Sequence, residues 1–120
     1  MTPRRFPGWV YSVGEEPDPR FSLANERTYL AWIRTALALV AAGVALEALS
    51  LPLQPVIRLV ASTILVLLGT AVPLLAWSTW GRVERAMREE AALPASRVML
   101  PVGAGVAVVG LLVAVALVVP

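Results

Sequence analysis

Three long apolar stretches, Thr35 to Leu46, Leu59 to Trp80 and Val98 to Val119, are separated by short polar or charged segments. The second and third are long enough to cross a bilayer, since a helix rising 1.5 Å per residue needs about 20 residues to traverse roughly 30 Å of hydrocarbon. The first is only twelve residues long, bounded by Arg34 and Glu47. It cannot span alone, so a crossing helix there must carry both charges within or near the edges of the hydrocarbon. Ser22 is a candidate N-cap, Glu26 sits near the positive end of the helix dipole, and Pro52 and Pro55 close the segment. The pattern predicts helices over about 22–50, 57–80 and 98–119, with Pro73 as a kink and Trp77 and Trp80 as an interfacial belt. The expected fold is all-α, a three-helix bundle integral to a membrane, occupying residues 22–120.

Composition supports the bilayer as solvent. The chain of 120 residues is 58% hydrophobic and 15% charged, with mean hydropathy +0.77, whereas soluble domains are about one quarter charged. It contains no cysteine and no histidine, which removes thiol nucleophiles, disulfides and the usual zinc and haem ligands. No Ser-His or lysine nucleophile arrangement, paired carboxylates at useful depth or glycine-rich phosphate cradle stands out. The sequence therefore nominates no catalytic residue, no metal site and no cofactor, and reads as non-enzymatic.

Residues 1–21 hold Pro3, Pro7, Gly8, Gly14, Pro17 and Pro19 without apolar periodicity, and are expected to form an irregular tail with Trp9 and Tyr11 at headgroup level. Residues 81–97 are expected to form a charged linker between the second and third spans, whose first part, Gly81 to Glu90, looks helical. Five arginines lie in Met1 to Arg34 and four in that linker, against Arg58 alone in the first loop. By the positive-inside rule the N-terminus and linker are cytoplasmic and the C-terminus is outside, as in a multi-pass membrane protein. The net charge of +2 thus describes topology. Glutamates interspersed among the arginines, and their place beside the membrane, argue against a nucleic-acid partner.

Arg27 and Arg34 are seven residues apart, which places them on one helix face about 10 Å apart along the axis. If several copies turn this face inward, the guanidiniums form stacked rings that attract anions. Alternatively, both snorkel to lipid phosphates and anchor the helix. Asn25 reads as a structural amide that either caps a helix or bridges two, and Glu26 as a structural carboxylate whose partner candidates are Arg82 and Arg85. Glu47 and Arg58 flank the first loop and are expected to pair. Glu84 with Arg88 and Arg85 with Glu89 fit i,i+4 pairs on a solvated face. Two stripes of small residues, Ala31, Thr35, Ala38, Ala42, Ala45 and Gly103, Ala107, Gly110, Ala114, suit close helix packing and self-association.

The run Leu23-Ala24-Asn25-Glu26-Arg27-Thr28-Tyr29-Leu30-Ala31-Trp32-Ile33-Arg34-Thr35-Ala36-Leu37-Ala38-Leu39, followed by Ala42-Gly43-Val44-Ala45, resembles the signature of the YidH-type bacterial inner-membrane proteins, the DUF202 family. The resemblance covers nearly all of the chain after the tail. It implies a relation to the membrane part of the eukaryotic vacuolar transporter chaperone complex, which makes polyphosphate and passes it through a pore of several three-helix units lined by basic side chains. On that resemblance Arg27 matches a pore-lining arginine. Arg34 matches a position that is not basic in the eukaryotic small subunit, so its pore role rests on geometry. These residues include no counterpart of that complex's catalytic or phosphate-sensing domains. The expected function is an oligomeric membrane protein presenting arginines to an anion, phosphate or polyphosphate, as a channel or transport module. The alternative is a non-conducting scaffold or regulatory subunit that binds anionic lipid or a membrane or cytoplasmic protein partner.

Overall fold

Prolines and their preceding caps set where the long helices start. In the computed structural model, which describes residues 4–120, the elements are α1 (Gly8–Tyr11), α2 (Pro19–Ala48), α3 (Pro55–Arg88) and α4 (Met99–Val118). Asp18 and Gln54 cap α2 and α3, accepting from the backbone N–H of Arg20 at 2.9 Å and of Ile57 at 2.7 Å. A proline follows each cap, where its missing N–H costs nothing and its fixed φ suits the first turn. The first long helix accordingly begins three residues before Ser22, and Ser22 is free to bond elsewhere.

Two further boundaries differ from the sequence expectation. α3 runs on through Gly81 to Arg88, where a linker was expected, because Glu84 and Arg88 are buried against other elements and not solvated. The tail is not uniformly irregular. Its α1 turn docks on α3, with the Trp9 ring lying where a side chain at Gly81 would be. Gly14 adopts φ +59°, and a Cβ there would overlap the Arg88 carbonyl. That carbonyl accepts from the Glu15 N–H at 2.9 Å, so the chain crosses the end of α3 at backbone distance, which only glycine allows.

The three helices α2, α3 and α4 are each long and apolar enough to cross a membrane. α2 and α4 both pack on α3 and not on one another, so the assembly is open and not a closed bundle. The α2–α3 seam is the tighter one. A Cβ on Gly43 would come within 2.8 Å of the Ser62 carbonyl oxygen, and one on Gly69 within 2.8 Å of the Ala36 carbonyl oxygen. The Ser62 hydroxyl donates to the Gly43 carbonyl at 2.6 Å. In lipid, where apolar burial gives little drive, such close backbone approach and interhelical bonding hold helices together. Both small-residue stripes lie elsewhere. Ala31, Ala38 and Ala42 are exposed, and Gly103 and Gly110 face open space. α4 is pinned to α3 near both ends: the Gln54 N–H donates to Ala116 O at 3.0 Å, and the Arg97 guanidinium donates to Ser78 Oγ at 2.8 Å.

Candidate functional site: an outward arginine face and a buried polar junction

The face of α2 that carries Arg27 and Arg34 is opposite the one that packs on α3. At about 100° per residue, both arginines, Ala31, Ala38 and Ala45 fall within roughly 60° of arc, while the buried Ala36, Leu39 and Gly43 lie on the far side. Arg27 and Arg34 are exposed and have no ion-pair partner among the described residues. Their depth follows from the helix rise. Glu47 is thirteen residues beyond Arg34 and twenty beyond Arg27, or about 20 and 30 Å along the axis. With Glu47 at one edge of a hydrocarbon layer about 30 Å thick, Arg27 stands at the other edge and Arg34 about 10 Å inside.

Glu47 itself faces the first loop. Arg58 Nε lies 3.4 Å from its Oε1, and Arg58 Nη1 donates to the Leu51 carbonyl at 2.8 Å. The backbone contact is the shorter, so Arg58 braces the loop as well as neutralising the carboxylate.

The other charges gather at the arginine-rich end, where α2, α3 and the N-terminal segment meet. Asn25 Nδ2 donates to Trp80 O at 3.0 Å and to Glu84 Oε1 at 3.3 Å. Ser22 Oγ lies 3.1 Å from Glu84 Oε2. Glu84 is only 3% exposed, and the partners of its two oxygens are a hydroxyl and an amide. Arg88, also buried, donates to Val13 O at 2.9 Å, Tyr11 O at 3.2 Å and Glu16 Oε1 at 3.1 Å. The expected Glu84–Arg88 pair does not form, because the carboxylate turns to α2 and the guanidinium to the N-terminal segment.

Glu26 makes no ion pair with Arg82 or Arg85. It is displaced about 100° around α2 from Asn25 and exposed, whereas Arg85 binds Glu89 at 2.9 Å and donates to Trp9 O at 3.1 Å. Arg82 is half-buried. Just outside α2, the Arg20 guanidinium, donating from Nη2 at 2.8 Å, and then the Arg20 backbone N–H hold the Asp18 carboxyl below its ordinary value.

Sequence reasoning paired Glu84 and Arg88 with each other and assigned Asn25 a bridging role without a partner. It missed Ser22 as a ligand of Glu84. The contacts join residues 55 to 77 positions apart, and no local spacing encodes such pairs. The one available signal was that Ser22, Asn25 and Tyr29 recur at three- and four-residue spacing and so share one face of the helix.

Membrane-length helices, polar groups buried between them and paired charges at the first loop define a multi-pass membrane protein, located in the inner membrane as its relatives are. The chain belongs to the DUF202 family, a domain of unknown function whose pattern matches residues 20–86. That span holds α2 from Arg20 onward, the first loop and nearly all of α3, including both outward arginines and the Asn25–Glu84 contact. The chain is 44% identical over 105 residues to the inner membrane protein YidH of Escherichia coli, covering 87% of this chain and 91% of that protein. It is 46% identical over 105 residues to an uncharacterized protein of Mycobacterium tuberculosis, covering 87% and 85% of the two. No solved structure matches the chain.

Proposed function

We propose that several copies of this chain associate through the outward face of α2 and present Arg27 and Arg34 to an anionic species, forming an anion, phosphate or polyphosphate channel or transport module. One observation carries the reading: Arg34 is exposed on the face of α2 turned away from α3 and lacks a partner ion among the described residues. A charged side chain costs about 2.5–3.5 kcal/mol at the bilayer centre on the most lenient scale and less toward the edge; with Glu47 at one edge, Arg34 lies about 10 Å inside the other, where it calls for polar surroundings that the described residues do not supply. A hydrated space between copies supplies them, and stacked guanidinium rings make it selective for anions. The arginine distribution orients the N-terminus and residues 81–97 to the cytoplasm. The resemblance of the Arg27 segment to the polyphosphate-conducting complex supports phosphate or polyphosphate as the anion.

Reconstituted in proteoliposomes, the protein is expected to pass phosphate or short-chain polyphosphate down a gradient. Arg34→Leu should abolish that flux while native mass spectrometry shows the same oligomer. Unaltered flux in that variant sinks the arginine path.

The place of Arg27 at the hydrocarbon edge favours a second reading, in which the face holds anionic lipid headgroups and the protein is a non-conducting scaffold or regulatory subunit. Absence of flux together with Arg27-dependent retention of phosphatidylglycerol selects it.

A further inference from the structure

A cavity of about 580 Å³ opens at the arginine-rich end between α2, α3 and the N-terminal segment, beside the outward arginine face. Its walls include five aromatic side chains: Phe6, Tyr11, Tyr29, Trp77 and Trp80. They form a connected set, with Trp77 stacked on Trp80 at 5.1 Å, Phe6 stacked on Trp77 at 6.1 Å, and Tyr29 edge-on to Trp77 at 6.3 Å. Three carboxyl groups, Glu16, Glu26 and Glu84, and one guanidinium, Arg5, share the lining.

Among the described residues the charges lining the cavity do not balance. Glu16 is taken by both Arg5 and Arg88. Glu84, nearly fully buried, has only the Ser22 hydroxyl and the Asn25 amide as partners, and Glu26 has no ion-pair partner among the described residues. Two carboxyls therefore line an aromatic chamber without a cation of their own. One wall already holds a cation: the Arg5 guanidinium lies over the Tyr11 ring at 4.2 Å.

We infer that this cavity is a binding site for an organic ammonium group. Aromatic faces attract cations through the ring quadrupole, most strongly where water is excluded, and the two carboxyls add the opposite charge. The same walls suit a metal ion poorly, because ring faces supply no lone pairs in place of the oxygen ligands that hard cations require. The site lies beside Arg27, at the hydrocarbon edge, and its lining continues onto Leu23 and Leu30, which are 52% and 46% exposed. An ammonium carried on a lipid headgroup, with its chain along those leucines, and a free organic ammonium from the aqueous side present the same chemistry.

The test uses the full chain in phosphatidylglycerol nanodiscs, which contain no ammonium. In one arm ethanolammonium chloride is titrated against sodium chloride at equal ionic strength. In the other, phosphatidylethanolamine replaces an increasing fraction of the lipid. Tryptophan emission is followed in both. A saturable change with either probe, absent with sodium and about tenfold weaker in Glu84→Gln and Glu26→Gln, supports the site. The arm that responds at the lower occupancy identifies the source. Glu26→Gln alters an exposed carboxyl with no ion pair among the described residues, so it decides the matter if Glu84→Gln does not fold. No saturable change in either arm, or one undiminished in Glu26→Gln and in any folded Glu84→Gln, overturns the inference. Arg34-dependent flux is a separate readout and is untouched by either outcome.

Discussion

The two faces of α2 handle polarity in opposite ways. On the inward side, Ser22 and Asn25 reach Glu84 and the Trp80 carbonyl, and Gly43 lets the α3 backbone come close. On the outward side, Arg27 and Arg34 stand on a surface of small residues with no partner ion among the described residues. Polar groups are thus satisfied within the chain on one side and left for another molecule on the other. The inward set is explained by folding. The outward set is not, and that difference makes it the better guide to function.

The sharpest way to break the comparison is to place the same bulk on each kind of small residue. Gly43→Leu must displace the Ser62 backbone or Val66, and overpacking of this sort costs about 1–3 kcal/mol or more. It is expected to lower the thermal unfolding midpoint in detergent by many degrees. Gly110→Leu meets open space, so it should leave that midpoint in place. A midpoint equally lowered by both would show that the α2–α3 seam is not special.

Removing the Arg88 fan comes next. Arg88→Met keeps the stem and leaves the Val13 and Tyr11 carbonyls without a donor, a loss of about 1–3 kcal/mol. Limited proteolysis should then cut the released N-terminal segment first. Arg34→Leu, by contrast, is expected to change unfolding of the isolated chain by no more than about 0.5 kcal/mol, despite abolishing flux. A large destabilisation would move Arg34 into the structural class.

The smallest effect concerns Asp18. Its folded-state pKa is depressed by Arg20, so its contribution is present above the unfolded value and lost as pH falls through the lower folded one. Asp18→Asn keeps a capping side chain and removes the charge. The gap in unfolding midpoint between the two proteins should be small and constant near neutrality and close below about pH 4. A gap that widens on acidification would reverse the assigned sign.

Much of this architecture can be read from the amino acids. Run lengths alone disclose two membrane-length helices, the first of the three being recognised only once Arg34 and Glu47 are allowed within it, and the short turn between Glu47 and Arg58 makes their proximity a matter of chain geometry. The same rules misplace the small residues. Glycine and alanine occur on every face of these helices, and only tertiary structure separates the Gly43–Gly69 seam from the outward Ala31–Ala45 stripe. The folded end of the N-terminal segment was hidden for a related reason. Trp9 on Gly81 and Gly14 on the Arg88 carbonyl are steric matches between distant positions, and neither has a periodic signal. Pro19 hid the start of α2 behind an apparent tail, because a proline cluster reads as irregular until one of its members occupies the first turn.

α2 and α4 meet α3 and not each other, so one copy encloses no passage of its own. Any conduit would have to be walled by several chains at once, like staves in a cask, and a single faulty stave would spoil the whole. In a cell making both forms, the Arg34→Leu chain would then act as a dominant poison. Activity would fall faster than the fraction of normal subunits, and the steepness of that fall would count the chains around the axis.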